Sequence, residues 1–209
     1  MTSQHSNRQK DSPVTRYQWI VIPAILTVIL LAIFMRFINI PEPVKNAVPT
    51  GGDFVLRSAE GSLALKDLRG KVVIIYFGYA FCPDICPTSL GLLSLALNKL
   101  SEAERQQVQA IFISVDPERD TVERLKTYAG AFNPDIIGIT GSPLEIAAIA
   151  QDYGVMYMKV EMPDSEMGYT VDHSSKYYLV DRAGVLSREI KHGTDPAELA
   201  RIIQQSLKQ

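Results

Sequence analysis

Val72-Val-Ile-Ile-Tyr-Phe77-Gly-Tyr-Ala-Phe-Cys82-Pro-Asp-Ile-Cys86-Pro87 runs directly into Thr88–Leu100, where Leu90, Leu93, Leu97 and Leu100 recur at helical spacing. Six consecutive β-branched or aromatic residues have the length and composition of a strand buried on both faces. The turn that follows carries the chain's only two cysteines and opens into the helix. A strand, a functional turn and a helix in that order set an α/β reading of the whole chain.

The sequence on either side repeats the pattern. Upstream, Phe54-Val-Leu56 and Leu63-Ala-Leu65 flank Ala59-Glu-Gly61, which predicts a β-hairpin. Downstream, Ala110–Val115 predicts the next buried strand, and Asp120 or Thr121 a cap for a helix to about Ala129. Ile136–Ile139 reads as a strand and Ser142–Tyr153 as a helix opened by Ser142-Pro143. Val155–Val160 and Lys176–Val180 read as strands joined by a long loop. Gly184 marks a turn, Val185–Ile190 pairs back, and Asp195-Pro196 caps a last helix to about Leu207. Alternating strands and helices predict a mostly parallel sheet with helices on both sides and an antiparallel final pair. Ligands in such sheets bind beyond the carboxyl ends of central strands, where Cys82 and Cys86 fall.

The N-terminal part has another character. Tyr17–Met35 carries no charge and continues through Arg36 to Ile40. A helix needs roughly 20 apolar residues to cross a bilayer, and Tyr17 and Trp19 fit an interfacial belt. The run is too long, and Phe34, Met35 and Phe37 too bulky, for a cleaved signal peptide. The expected organisation is a cytoplasmic N-terminus (1–18), a single transmembrane anchor (19–40), a Pro- and Gly-rich linker (41–52) and one folded domain (53–209). Lys and Arg are in excess before the span, which keeps the N-terminus in the cytoplasm and puts the domain on the far, oxidising side of an inner membrane, in the periplasm. Residues 41–209 hold 17 basic and 22 acidic side chains, which argues against a nucleic-acid partner.

Two sulfurs four residues apart at a strand-to-helix turn suit either a thiophilic metal or a reversible disulfide. A helix start favours thiolate, and positions i and i+4 share a helix face; Pro87 suggests that the helix begins near it and leaves Cys82 in a loop. Two thiolates favour copper(I), and an added imidazole extends the site to copper(II); zinc would ask for a fourth ligand. Of three histidines, His5 falls in the cytoplasmic segment and His192 reads as a solvent-facing turn residue. His173, in Val171-Asp-His-Ser-Ser175, is either a loop histidine satisfied by Asp172 or a third ligand. Spacing alone leaves metal and disulfide both open.

Three stretches in order, Phe77–Pro87, Ser114-Val-Asp-Pro-Glu-Arg-Asp-Thr121 and Val171–Ser175 followed by Tyr178-Leu-Val-Asp181, resemble the Sco/SenC family across the whole exported part. The resemblance implies a thioredoxin-like fold, with the N-terminal β-hairpin and preceding transmembrane helix, that binds copper. It implies Cys82, Cys86 and His173 as ligands, a copper donor protein upstream, and the CuA-bearing subunit of cytochrome c oxidase as the partner that receives the metal during assembly. Ala80 stands where many members have Thr, and Arg182-Ala183 where Pro often follows Asp. Other branches of the fold fit less well: a peroxiredoxin has Thr at the position of Tyr79, and a thioredoxin has C-x-x-C with a facing cis-proline. Thiol-disulfide exchange through Cys82 and Cys86, which would keep the oxidase copper-site cysteines reduced, stays open, as does copper or redox sensing.

Asp84, Asp116 and Asp172 are candidates for the metal's outer shell. Asp84 reads first as a helix cap, and Asp116 and Asp120 as loop anchors. Met156, Met158, Met162 and Met167 read as packing residues, with a copper(I) docking role as the alternative; that role expects Met162 and Met167 to be exposed on the site face.

Overall fold

The computed structural model describes residues 21, 23–31 and 49–209. Residues 23–31 are helical (α1), with exposed side chains. Among the described residues no helix is long and apolar enough to cross a membrane. The rest of the 19–40 segment, and the expected N-terminus and most of the linker, lie outside the described residues.

The domain begins with the expected hairpin, β1 (Val55–Ser58) and β2 (Gly61–Ala64), and a short 3-10 turn, Leu65–Leu68. Then come β3 (Val72–Gly78), α2 (Ile85–Leu97), α3 (Glu102–Arg105), β4 (Val108–Ser114), α4 (Val122–Phe132), β5 (Ile136–Ile139) and α5 (Pro143–Asp152). The chain closes with β6 (Tyr157–Met162), β7 (Gly168–His173), β8 (Lys176–Val180), β9 (Leu186–Lys191) and α6 (Pro196–Leu207). Five strands form the central sheet in the order β5-β4-β3-β8-β9. β3, β4 and β5 are parallel; β8 runs antiparallel to β3, and β9 to β8. This is a mixed α/β, thioredoxin-like arrangement.

All seven residues of β3 are buried, as the unbroken apolar run requires. Neighbours along the strand point to opposite faces, so Tyr76 and Phe77 build two separate aromatic layers. Tyr76 meets Phe112 and Tyr177, and Phe112 meets Tyr128 of α4. Phe77 meets Tyr178 and Tyr153, the latter at the end of α5, and Tyr153 meets Phe54. Helices therefore cover both faces.

Helix starts follow local chemistry. Thr121 caps α4 by accepting the Arg124 N–H, and Ser142 with Glu145 forms a reciprocal capping box on α5, with Pro143 in its first turn. Asp195 accepts the N–H groups of Ala197 and Glu198 at the start of α6. The choice between Asp120 and Thr121 is thus resolved for Thr121.

The helix after the cysteines begins at Ile85, near Pro87 as expected, with Cys82 left in the turn; Pro87 lies in the first turn, where N–H groups have no intrahelical partner. The stretch between β6 and β8, by contrast, is not the expected long loop: β7 pairs antiparallel with β6 from Tyr157↔His173 to Met162↔Gly168. His173 therefore sits at the end of a strand. Pairing of β8 with β3 sets Tyr177 opposite Tyr76. The chain just before β8 thus emerges at the end of the sheet where β3 releases the cysteine turn.

Candidate metal centre

Cys82 lies in the turn, half-buried, and its N–H donates to the Tyr79 carbonyl at 3.2 Å. Cys86 is the second residue of α2 and fully buried. Its backbone N–H points at the Cys82 sulfur from 3.5 Å. The two thiols are electrostatically unlike. Hydrogen bonding from Cys86, then from His173 and the turn backbone, holds the Cys82 thiol well below the ordinary range despite partial burial. Burial, followed by the neighbouring Cys82 sulfur, pushes Cys86 up. The turn thus biases the two thiols in opposite directions, the outer sulfur towards thiolate and the inner one towards thiol.

His173 arrives from 87 residues downstream, and its Nε2 stands 3.3 Å from Cys86 Sγ. Its Nδ1 is 3.0 Å from the Ser174 carbonyl oxygen. A carbonyl only accepts, so Nδ1 carries a proton and Nε2 is the ring nitrogen turned towards the sulfurs. This is the way ligating imidazoles are commonly fixed. The edges of Tyr76 and Tyr79 hold the ring, with centroids 6.3 and 5.8 Å away and near-perpendicular planes. One ligand atom each from Cys82, Cys86 and His173 all lie within 4.8 Å of one another. Two soft sulfurs and one imidazole nitrogen, all on anchored elements, are a donor set for copper.

The supporting residues divide unevenly. Asp84 occupies the cap position of α2, yet its side chain makes no capping hydrogen bond; the Thr88 N–H and hydroxyl donate to its carbonyl instead. Its influence on Cys82 comes through its backbone N–H. Asp172 does not satisfy His173: it is exposed, because alternate residues of a strand face opposite ways. Asp116, only 1% exposed, binds Arg119 at 2.5 Å and accepts the Tyr169 hydroxyl at 2.8 Å. Asp120 accepts the Ala80 N–H at 2.9 Å and the Ser114 hydroxyl at 2.6 Å. Both hold the loop after β4, as their sequence context suggested.

His192 is not a free turn residue; its Nδ1 lies 2.7 Å from the hydroxyl of buried Ser89. The methionines are not packing residues either. Met156 and Met158 are 79% and 63% exposed and line a groove of about 430 Å³ with Asp172 and the His173 segment. Met162 and Met167, 38% and 36% exposed, sit at the far tip of the β6–β7 hairpin.

A model of the SCO1/SenC family matches residues 42–208, which hold the cysteine turn, the 114–121 loop and the His173 strand. The chain belongs to the SCO1/SenC family. Among curated SCO1/SenC relatives, "Protein SCO1 homolog 1, mitochondrial" of Arabidopsis thaliana is 47% identical over 141 residues. That match spans 67% of this chain and 41% of the relative's length. Two crystal or solved structures of SCO1/SenC proteins superpose closely. Arabidopsis thaliana ScoI with copper bound is 41% identical with a TM-score of 0.69, covering 76% of this chain and 98% of that one. Bradyrhizobium japonicum ScoI with copper bound is 40% identical with a TM-score of 0.69, covering 75% and 99%.

Proposed function

We propose that this SCO1/SenC chain is a membrane-anchored copper metallochaperone that holds copper through Cys82, Cys86 and His173 and delivers it to the CuA centre of cytochrome c oxidase during assembly. One observation carries the reading: ligand atoms from two cysteines and a distant histidine lie within 4.8 Å of one another. The copper-bound relatives support the choice of metal.

The residues present fit copper as cargo. Cys82 offers a ready thiolate and Cys86 a protonated thiol, so loading expels the Cys86 proton, and metal and proton compete for the inner sulfur. Three ligands suit copper(I), and the same set with its imidazole suits copper(II). With half-buried Cys82 on the outer side, an incoming protein ligand would meet that sulfur first, as stepwise transfer requires. A Cys82–Cys86 disulfide removes two of the three donors, so oxidation and loading exclude each other. Anchoring by residues 19–40, with the domain in the periplasm, would hold the site near a membrane-bound target and raise its effective concentration.

The thiol asymmetry also favours a second reading. A half-buried sulfur biased towards thiolate, backed by a buried partner biased towards thiol, is the arrangement of a thiol-disulfide reductase. His173→Ala separates the two. The metallochaperone reading expects that variant to lose copper loading and oxidase assembly together while dithiol exchange continues. Normal oxidase assembly by a variant that no longer binds copper would make the reductase reading the correct one.

A further inference from the structure

The β6–β7 hairpin that presents His173 is a separate two-stranded sheet with no ladder to the central five strands. Such a hairpin is marginal alone, so side chains must fix it against the cysteine turn. One side chain contacts every part. The Arg119 guanidinium lies 3.6 Å from the Tyr169 ring centroid on β7, 4.9 Å from that of Phe81 beside Cys82, and 5.6 Å from that of Tyr79. The same group donates to the Tyr169 carbonyl at 2.9 Å, to the Met167 carbonyl at 3.3 Å and to buried Asp116 at 2.5 Å. Asp116 in turn accepts the Tyr169 hydroxyl.

From this geometry we infer that Arg119 is a positioning residue for the metal centre: it clamps the His173 hairpin onto the cysteine turn and so sets the distance between Nε2 and the two sulfurs. Arg119 touches none of the ligand atoms. Its planar fork is the feature in use. Its Nε–H grips Asp116, its Nη1 donates to two carbonyls, and the flat face stacks on Tyr169, which a lysine ammonium cannot do together. The pair is 16% and 1% exposed, so solvent screens it little. Lys159 and Glu118 add an exposed ion pair between the same loop and hairpin, which contributes less for that reason.

The inference rests on the proposed copper site, and its test separates the two. In the full chain, Arg119→Gln and Arg119→Lys are compared with wild type and His173→Ala in two assays. The first titrates reduced protein with copper(II) ion and records the imidazole nitrogen signal by electron paramagnetic resonance. The second follows amide exchange of the metal-free protein in β7 and in β3. Arg119→Gln is expected to weaken copper binding about tenfold or more, in the range usual for groups that orient a ligand, and to broaden the nitrogen signal. It should speed exchange in β7 while β3 stays as protected as in wild type. Arg119→Lys should recover only part of each effect. Wild-type affinity and wild-type β7 protection in Arg119→Gln would overturn the inference, as would full recovery by lysine. Equal loosening of β3 and β7 would also overturn it, by making Arg119 a general stability residue. If His173→Ala binds copper like wild type, the ligand assignment fails, and the metal-free exchange arm alone then decides the role of Arg119.

Discussion

At the residue scale, one turn makes two identical thiols unlike. Cys82 and Cys86 differ in burial, in the backbone N–H groups that face them and in whether they are biased towards thiolate or thiol. The pH consequence is signed. An ordinary thiol has a pKa near 8.5 and loses reactivity about tenfold for each unit below it. Because the Cys82 pKa is depressed, its thiolate persists across the neutral range, and its contribution to folding is full above the unfolded pKa and lost only as pH falls through the folded one. Cys86 runs the opposite way: its raised pKa favours folding while the thiol is protonated, and that contribution fades as pH rises above the ordinary thiol value. Alkylation of reduced, metal-free protein should therefore label Cys82 at a rate nearly flat between about pH 6 and 8, with Cys86 protected; a Cys82 rate that climbs tenfold per pH unit would refute the assignment. Gly78 is a second sensitive position. A Cβ there would stand 2.5 Å from Cys86 Sγ and 2.9 Å from the Phe112 ring, so Gly78→Ala should cost about 1–3 kcal/mol in thermal or denaturant unfolding and displace Cys86 from its seat. The candidate ligands Cys82, Cys86 and His173 were legible only through the resemblance, since spacing alone left metal and disulfide both open. The roles of Asp84 and Asp172 were not, because a carboxylate's direction depends on one turn of backbone or one step of strand register. Nothing in the sequence singles out Arg119: no periodicity marks a residue whose partners lie 38 and 50 positions away, at Phe81 and Tyr169.

At the scale of elements, the strongly patterned pieces appeared where the sequence placed them. β3, β5, β8 and α6 match within a residue or so, since each has an unbroken apolar run or a side-chain cap. β7 was missed for a physical reason. Gly168-Tyr-Thr-Val-Asp-His173 buries only Val171 fully, so it lacks the apolar alternation by which a strand is recognised. Its order comes instead from tertiary partners. The Tyr79 hydroxyl bonds the Thr170 hydroxyl at 2.8 Å and accepts the Val171 N–H at 3.3 Å. Tyr79→Phe keeps the ring against His173 but strands a buried N–H. It should lower stability by about 1–2 kcal/mol and raise amide exchange at Val171 more than in β3. Unchanged protection at Val171 would mean that the hairpin is held by other contacts.

At the scale of the whole molecule, the fold solves a problem of assembly. The cysteines leave the end of β3, and the histidine lies just ahead of β8, far along the chain. Antiparallel pairing of β8 with β3 brings those two points to one end of the sheet without a long excursion. Oxidation state then becomes a switch on cargo. The oxidised full chain should bind copper(I) at least about tenfold more weakly than the reduced chain, because two of three donors are consumed; equal binding by both forms, measured by competition with a copper(I) chelator, would place the metal elsewhere. The proposed anchor makes its own demand: the full chain should fractionate with membranes and resist salt extraction, and recovery in the soluble fraction would remove that part of the proposal. On this reading one late imidazole completes a site begun by two early sulfurs. X-ray absorption and electron paramagnetic resonance on the copper-loaded full chain test it most directly. The prediction is sulfur ligation from both cysteines with one imidazole nitrogen, and loss of that nitrogen together with tight binding in His173→Ala; copper held equally tightly, with an unchanged spectrum, in the absence of His173 would contradict it.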